Sequence, residues 1–302
     1  MKKKVLFFYH TSPLNVNVQS GRPCSIHKQL VKKYDVKLCV YNDIFFKLTN
    51  LIDYLTNLII KRPSFPKRGF CSSFYVALKI RLFLKYYGFH KSDYLFSPST
   101  EGYSRFSTFR QKKVCCVDSL LNGIVEYYPT YDVSRFKTDN EREAEALKNI
   151  DLLAVPSSWA ADNATRYDFK GAMLIQPFGY NLQTTCTREC NDYKLLAASS
   201  QITFVSIIAD WERKGGSLIE ALFDFIAEQG YICQLDIIGE CKNFPAHLER
   251  DDRFKLHGRI DKVLEFKRFD DLMRYSDIFI MPSKGEAFGM AVCEAYAYGL
   301  PV

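Results

Sequence analysis

Short apolar runs rich in Val, Ile, Leu and Phe alternate with longer stretches of helical periodicity along nearly all 302 residues of this chain. That rhythm limits what the chain can fold into more than any other feature, because a run that is apolar throughout is a strand buried on both faces. Parallel strands need crossover helices to connect them, so such alternation builds open α/β sheets covered on both sides. In the first half the pattern predicts strands at 5–9, 36–41, 94–96, 113–117, 152–155 and 173–176. Helices are expected over 25–33, 73–87, 140–149 and 158–166, and 43–60 is amphipathic.

The rhythm breaks at Gln176-Pro177-Phe178-Gly179, and residues 180–200 are polar and without period. A linker at 179–200 is therefore expected between an N-terminal domain, 1–178, and a C-terminal domain, 201–302. The second half restarts with strands at 202–208, 235–239, 254–257 and 278–281, and helices at 217–229, 264–275 and 290–298. Each half is large enough to bury its own core.

Composition removes several function classes. Ten cysteines lie scattered with no CxxC pair, which suits reduced thiols better than a disulfide framework or a metal site. Met1-Lys2-Lys3-Lys4 followed by Val5-Leu6-Phe7-Phe8-Tyr9 looks like a signal peptide, but His10-Thr11-Ser12-Pro13 cuts the apolar core short, so a first buried strand fits better. No run of 18 apolar residues occurs, and a cytoplasmic or peripheral protein is expected. The net charge of +7 concentrates between Lys47 and Lys91 among Leu, Ile, Phe and Tyr. Two readings stand: a solvated helical face, or a surface that rests on anionic lipid at the inner face of a membrane. Nucleic acid is not an expected partner, since no helix-turn-helix, zinc-finger or RNP pattern accompanies the charge.

The chemistry concentrates near the end. Lys284-Gly285-Glu286-Ala287-Phe288-Gly289-Met290 follows the strand at 278–281, and Glu294 lies two turns into the next helix. The amides of Phe288, Gly289 and Met290 open that helix, and such an opening attracts phosphate. Two carboxylates flanking a phosphate site suit a ligand bearing both diphosphate and hydroxyls, as a nucleotide sugar does.

This run resembles the signature of the retaining GT-B glycosyltransferases of the glycosyl transferases group 1 family, a Glu, seven residues, then Glu within a Glu-Ala-Phe-Gly segment. The resemblance implies the α/β GT-B fold: two doubly wound, parallel-sheet, Rossmann-like domains facing a cleft, the second incomplete because the chain ends at Gly299-Leu300-Pro301-Val302, where relatives begin another strand. It implies transfer of a sugar from a nucleoside diphosphate sugar to a glycan or lipid-linked acceptor with retention, by habit in surface polysaccharide synthesis. The alternative is a nucleotide-sugar-binding or membrane-docked module without catalysis. No cofactor and no metal are expected, since the family neutralises the diphosphate with protein cations.

Residue by residue, Lys214 resembles the family's diphosphate lysine in Asp210-Trp211-Glu212-Arg213-Lys214-Gly215-Gly216, with Arg213 beside it. Many relatives carry an arginine at the end of the preceding strand, where this chain has Ile207-Ile208. Glu286 resembles the carboxylate that binds sugar hydroxyls near the reacting carbon, and Glu294 the one that binds the ribose. Gly258, in the segment 254–260, resembles part of the base-lining loop, with His257 read as a satisfied core or rim histidine rather than a catalytic one. Gly21 stands where relatives place glycines near the diphosphate or acceptor, or it serves a simple strand–helix connection. Asp118 stands near the place of a family histidine: it orients a hydroxyl or acts as a base toward the acceptor, or it caps the next helix. Ser157 or Ser158 caps the helix that carries Trp159.

Overall fold

The computed structural model describes residues 2–16, 18–59, 70–101, 103, 108–127, 133–181 and 201–302. Most of the expected linker, along with Lys61, Arg62, Lys67 and Arg68 of the basic stretch, lies outside the described residues. The chain divides into two compact units, Met1–Pro177 and Phe178–Val302.

The first unit is built on six parallel strands in the order β2-β1-β3-β4-β5-β6: β1 Lys4–Tyr9, β2 Asp35–Val40, β3 Tyr94–Ser97, β4 Lys112–Cys116, β5 Leu152–Val155 and β6 Ala172–Ile175. Helices α1 Arg22–Lys33, α2 Ile44–Ile59, α3 Phe70–Tyr86, α4 Leu121–Tyr127, α5 Val133–Leu147 and α6 Ser158–Thr165 connect them. Central strand β1 shows why an unbroken apolar run was needed, since all of its residues from Val5 to Tyr9 are buried. Phe7 packs on Phe96 and Phe8 on Tyr103, one on each face of the sheet by the alternation of a strand.

The second unit carries four parallel strands in the order β10-β7-β8-β9: β7 Gln201–Ile207, β8 Ile232–Ile238, β9 Phe254–Gly258 and β10 Ile278–Phe279. Helices α7 Gly216–Glu228, α8 Phe266–Tyr275 and α9 Met290–Ala297 cover it. One core gathers Ile208, Trp211, Phe223 and Phe254, and another gathers Phe269, Phe279, Tyr298 and Leu300. The Gly-Leu-Pro-Val run does reach the sheet, since the Phe279 amide donates to the Pro301 carbonyl at 2.9 Å. The two parallel sheets with their helices are the α/β, GT-B type fold that the alternation and the motif imply.

The elements follow the sequence pattern closely, and the amphipathic 43–60 stretch is helix α2. Two differences have physical causes. Helix α5 begins at Val133, ahead of the expected Asn140. Helix α4 has no signal in the pattern, being seven residues long with Gly123 inside it. Distant side chains hold it: the Glu143 carboxylate accepts from the Leu121 amide at 2.6 Å and the Tyr167 hydroxyl from the Asn122 amide at 3.2 Å. Asp118 therefore does not supply that cap. Ser157 caps α6, accepting from the Ala160 amide at 3.2 Å, with Trp159 packed against the core. The seven described cysteine side chains are all free thiols. No described helix is long and apolar enough to cross a membrane.

Glu143 also accepts from the Thr100 hydroxyl at 2.9 Å and the Tyr167 hydroxyl at 3.0 Å, so one carboxylate joins α4, α5, the turn after α6 and the loop after β3. Glu143→Ala is expected to destabilise the protein by about 1–3 kcal/mol through the donors it orphans. Chemical denaturation of parent and variant measures this, and equal midpoints would refute it.

Candidate active site

Strand β10 lies beside β7, so the loops leaving their C-terminal ends meet. The β7 loop is shaped from within. Asp210 accepts from the Arg213 amide at 2.9 Å through its side chain and from the Lys214 amide at 3.1 Å through its carbonyl. Asn243 donates to the second oxygen of the Asp210 carboxylate at 3.0 Å. Trp211 turns inward, packed edge-on against Phe244 and Phe254. With Trp211 anchored, the next cationic side chains are presented at the strand end.

Gly215 then takes φ +77°, a left-handed conformation open to glycine at little cost. A Cβ here would stand 2.0 Å from the Pro282 carbonyl oxygen of the β10 loop, so the two loops touch through a missing side chain. The Lys284 amide donates to the Arg213 carbonyl at 2.9 Å, and the Arg213 guanidinium donates to the Gly285 carbonyl at 3.3 Å. These bonds stitch the Arg213-Lys214 turn to the loop that carries Glu286.

The stitching brings Lys214 and Glu286 together. The Lys214 ammonium lies 2.5 Å from Glu286 Oε2 and 3.4 Å from Met281 Sδ, with only 7% of the residue exposed. Burial pulls its pKa below the ordinary lysine value, the Glu286 charge and hydrogen bond oppose that, and Arg213 adds to the lowering. Glu286 itself is 30% exposed along its side chain, so the pair is dry on the lysine side and open on the carboxylate side.

Downstream, Gly289 is the N-cap of α9 in a left-handed conformation, φ +84°, and no side chain caps the helix. Among the described residues the amides of Phe288, Gly289 and Met290 have no acceptor, so the opening of α9 keeps donors for solvent or a ligand. Phe288 packs edge-on against Phe178.

Glu294 is only 2% exposed, and the Lys262 ammonium meets both of its oxygens at 2.5 Å. Lys262 also lies 4.5 Å from the centre of the Phe269 ring. Both motif carboxylates are thus held by lysines from other elements. Lys262 was not legible beforehand, because nothing local in its sequence marks a partner 32 residues away. Gly258 leads toward Lys262 with φ +69°, and its carbonyl accepts from the Gly239 amide at 2.8 Å across a register shift between β8 and β9. Next to it, His257 Nε2 pairs with Asp236 Oδ1 at 2.7 Å, a satisfied histidine. Ile208, just past the end of β7, is fully buried in the core.

In the first unit, Gly21 ends three successive residues of positive φ, after Gln19 at +47° and Ser20 at +54°. Left-handed backbone costs roughly 1–2 kcal/mol for a non-glycine residue, so this turn is strained. Arg22, buried to 4% exposure, donates to Gln19 Oε1 at 2.6 Å and the Pro98 carbonyl at 3.3 Å, and lies 3.3 Å from Asp118. Asp118 is therefore the ion-pair partner of a buried arginine. Tyr9 belongs to the same cluster. Burial pushes its hydroxyl up to about 12; Arg22 lowers it, while Glu101 and Asp118 raise it. Arg22 is the residue that sequence reasoning missed here, though it follows Gly21 directly.

Residues 199–302 match the family model described as Glycosyl transferases group 1. No curated protein matches the chain by sequence. Among solved structures, the sucrose-phosphate synthase of Thermosynechococcus elongatus superposes with a TM-score of 0.66 at 17% identity, over 99% of this chain and 80% of that one. Anabaena HepE, solved with UDP and glucose, gives 0.59 at 14% identity over 99% and 80%. The α,α-trehalose 6-phosphate synthase of Burkholderia multivorans gives 0.60 at 9% identity over 98% and 81%.

Two outcomes follow from this geometry. Glu286→Gln removes the influence that raises the Lys214 pKa, so the lysine should titrate at still lower pH; carbon-13 NMR of the lysine side chain reads it, and an unmoved titration would contradict the pairing. Gly215→Ala should cost about 2–4 kcal/mol by forcing the two loops apart. A thermal midpoint equal to the parent's would show that the loops do not meet there.

Proposed function

We propose, taking the match of residues 199–302 to group 1 glycosyltransferases as the premise, that this protein transfers a sugar from a nucleoside diphosphate sugar to a glycan or lipid-linked acceptor with retention of configuration. The observation that carries the reading is the buried Lys214 ammonium beside Glu286, stitched to the loop that opens α9 with unused amides.

The chemistry follows from charge. When the bond between the anomeric carbon and the β-phosphate oxygen breaks, its electron pair stays on the phosphate and an oxocarbenium-like sugar develops. Lys214, Arg213 and the amides of Phe288, Gly289 and Met290 would face that phosphate in a setting with little water, where fixed charges act strongly. Lys214 would exchange Glu286 for the diphosphate, and the released carboxylate would accept hydrogen bonds from the sugar hydroxyls. Glu294 would meet the ribose hydroxyls in competition with Lys262, and Gly258 would border the base. Retention would follow when the acceptor hydroxyl attacks from the face the phosphate leaves, with the phosphate taking its proton. Asp118 and the strained Gly21 turn would orient the acceptor. The setting we assign is the cytoplasmic side of a membrane, in surface polysaccharide synthesis.

One observation favours a second reading. With Ile208 buried in the core, the diphosphate has one cation fewer than in many relatives, as a module that binds nucleotide sugars without turning them over would have. Donor hydrolysis or transfer by the protein excludes that module, whereas diphosphate binding with no turnover supports it.

Calorimetric titration of UDP and GDP is expected to show binding that Lys214→Ala weakens at least about tenfold, the loss of one charged contact. Affinity should fall on the alkaline side earlier than for an ordinary lysine, because the Lys214 pKa is lowered and the neutral amine cannot hold phosphate. Glu286→Gln should keep diphosphate binding and lose on the order of 10²–10³ in turnover. Unchanged turnover in both variants would remove the role assignment.

A further inference from the structure

Helices α2 and α3 present to solvent an apolar surface that nothing else among the described residues covers. On α2, Ile44, Phe45, Leu48, Leu51 and Leu55 are each between 50% and 76% exposed. Positions 44, 48, 51 and 55 recur at helical spacing and form one stripe. On α3, Phe74, Leu78 and Leu82 repeat the pattern on an exposed face, while Val76, Ile80 and Leu84 fill the core. A helix that is apolar on both its core side and its outer side has a second surface to cover.

The helices are held firmly together. The Asp43 carboxylate accepts from the Phe46 amide at 2.9 Å and the Tyr75 hydroxyl at 2.7 Å, and it pairs with Lys79. Burial raises its pKa, but these partners outweigh burial and hold it near 2. The Phe45 and Tyr75 rings stack at 6.4 Å.

Charge selects the occupant. In sequence, residues 43–86 carry eight Lys and Arg against Asp43 and Asp53, a net of +6; Lys47, Lys79, Arg81 and Lys85 lie on the described helices, and Lys61, Arg62, Lys67 and Arg68 lie outside the described residues. A water-excluding protein partner needs no such excess, whereas an anionic bilayer takes up apolar side chains and attracts each nearby cation, about fivefold in partition apiece. We propose that the α2–α3 face docks this protein on an anionic lipid surface.

The placement deepens the proposed function and rests on it only for its purpose. Just Tyr41, Asn42 and Asp43 separate β2 from α2, so the apolar stripe starts at the C-terminal edge of the first sheet. Gly21 and Asp118 follow strands β1 and β4 at that same edge, where a lipid-linked acceptor would arrive.

The test is co-sedimentation of the full chain with vesicles of phosphatidylcholine, with and without about one-third phosphatidylglycerol. Binding is expected to the anionic vesicles only, weakened at least about tenfold from low to high salt as screening shortens. The triple variant Leu48→Gln, Leu51→Gln, Leu55→Gln should lose about 100-fold in partition while circular dichroism and thermal midpoint hold. The single variant Leu51→Glu provides the same reading should the triple variant fold poorly. A parent that ignores anionic vesicles, or variants that bind as the parent does, would overturn the proposal. So would a parent that dimerises through this face in sedimentation velocity and leaves the vesicles alone. UDP and GDP titration of the same samples separates the two ideas, since lost diphosphate binding sinks the proposed function and leaves docking untouched.

Discussion

A lysine ammonium taken out of water would be costly to keep charged, and the second unit depends on the one group that makes Lys214 tolerable there. Glu286 reaches it because β7 and β10 are parallel neighbours whose terminal loops leave from the same edge. Gly215 then lets those loops touch through its absent side chain, and the Arg213 and Lys284 backbone contacts fix the register. An ion pair dry on one side and open on the other is ready to exchange partners. In the proposed reaction the diphosphate would take the lysine and leave the carboxylate to the sugar hydroxyls.

Helix openings at the strand ends share one design. Helices α1, α7 and α9 all begin on a left-handed glycine, Gly21, Gly215 and Gly289, with no side chain capping the first turn. A serine or aspartate at an N-cap, such as Ser157 of α6, typically adds only a few tenths of a kcal/mol over glycine, so leaving these openings without a side-chain cap costs little. All three lie at strand ends, the edge where open α/β sheets bind ligands. The strained Gln19-Ser20-Gly21 turn belongs to the same pattern, held by the buried Arg22.

Much of this was legible in the chain. Periodicity gave the strands and most helices to within a few residues, because a strand buried on both faces must be apolar throughout, as Val5 to Tyr9 are. The Glu286–Glu294 segment stood out because local spacing puts a glycine and two carboxylates where a helix opens, and the Asp210–Gly216 loop stood out through its resemblance to the family's lysine-glycine loop. Helix α4 was not legible, since its first amides bond to Glu143 and Tyr167, more than twenty residues further on. Nor were Arg22 and Lys262, whose importance lies in partners rather than in neighbours.

The sequence by itself determined the alternation of elements, the positive-φ glycines at strand ends and the supply of carboxylates and cations, because these depend on contacts a few residues long. Only the tertiary structure decided the pairings: Lys214 with Glu286 across 72 residues, Lys262 with Glu294 across 32, and Arg22 with Asp118. Strand order makes those choices, since it sets which loops leave the sheet side by side. No local pattern encodes which strand lies next to which, so the chemistry of each charged group waits on the fold.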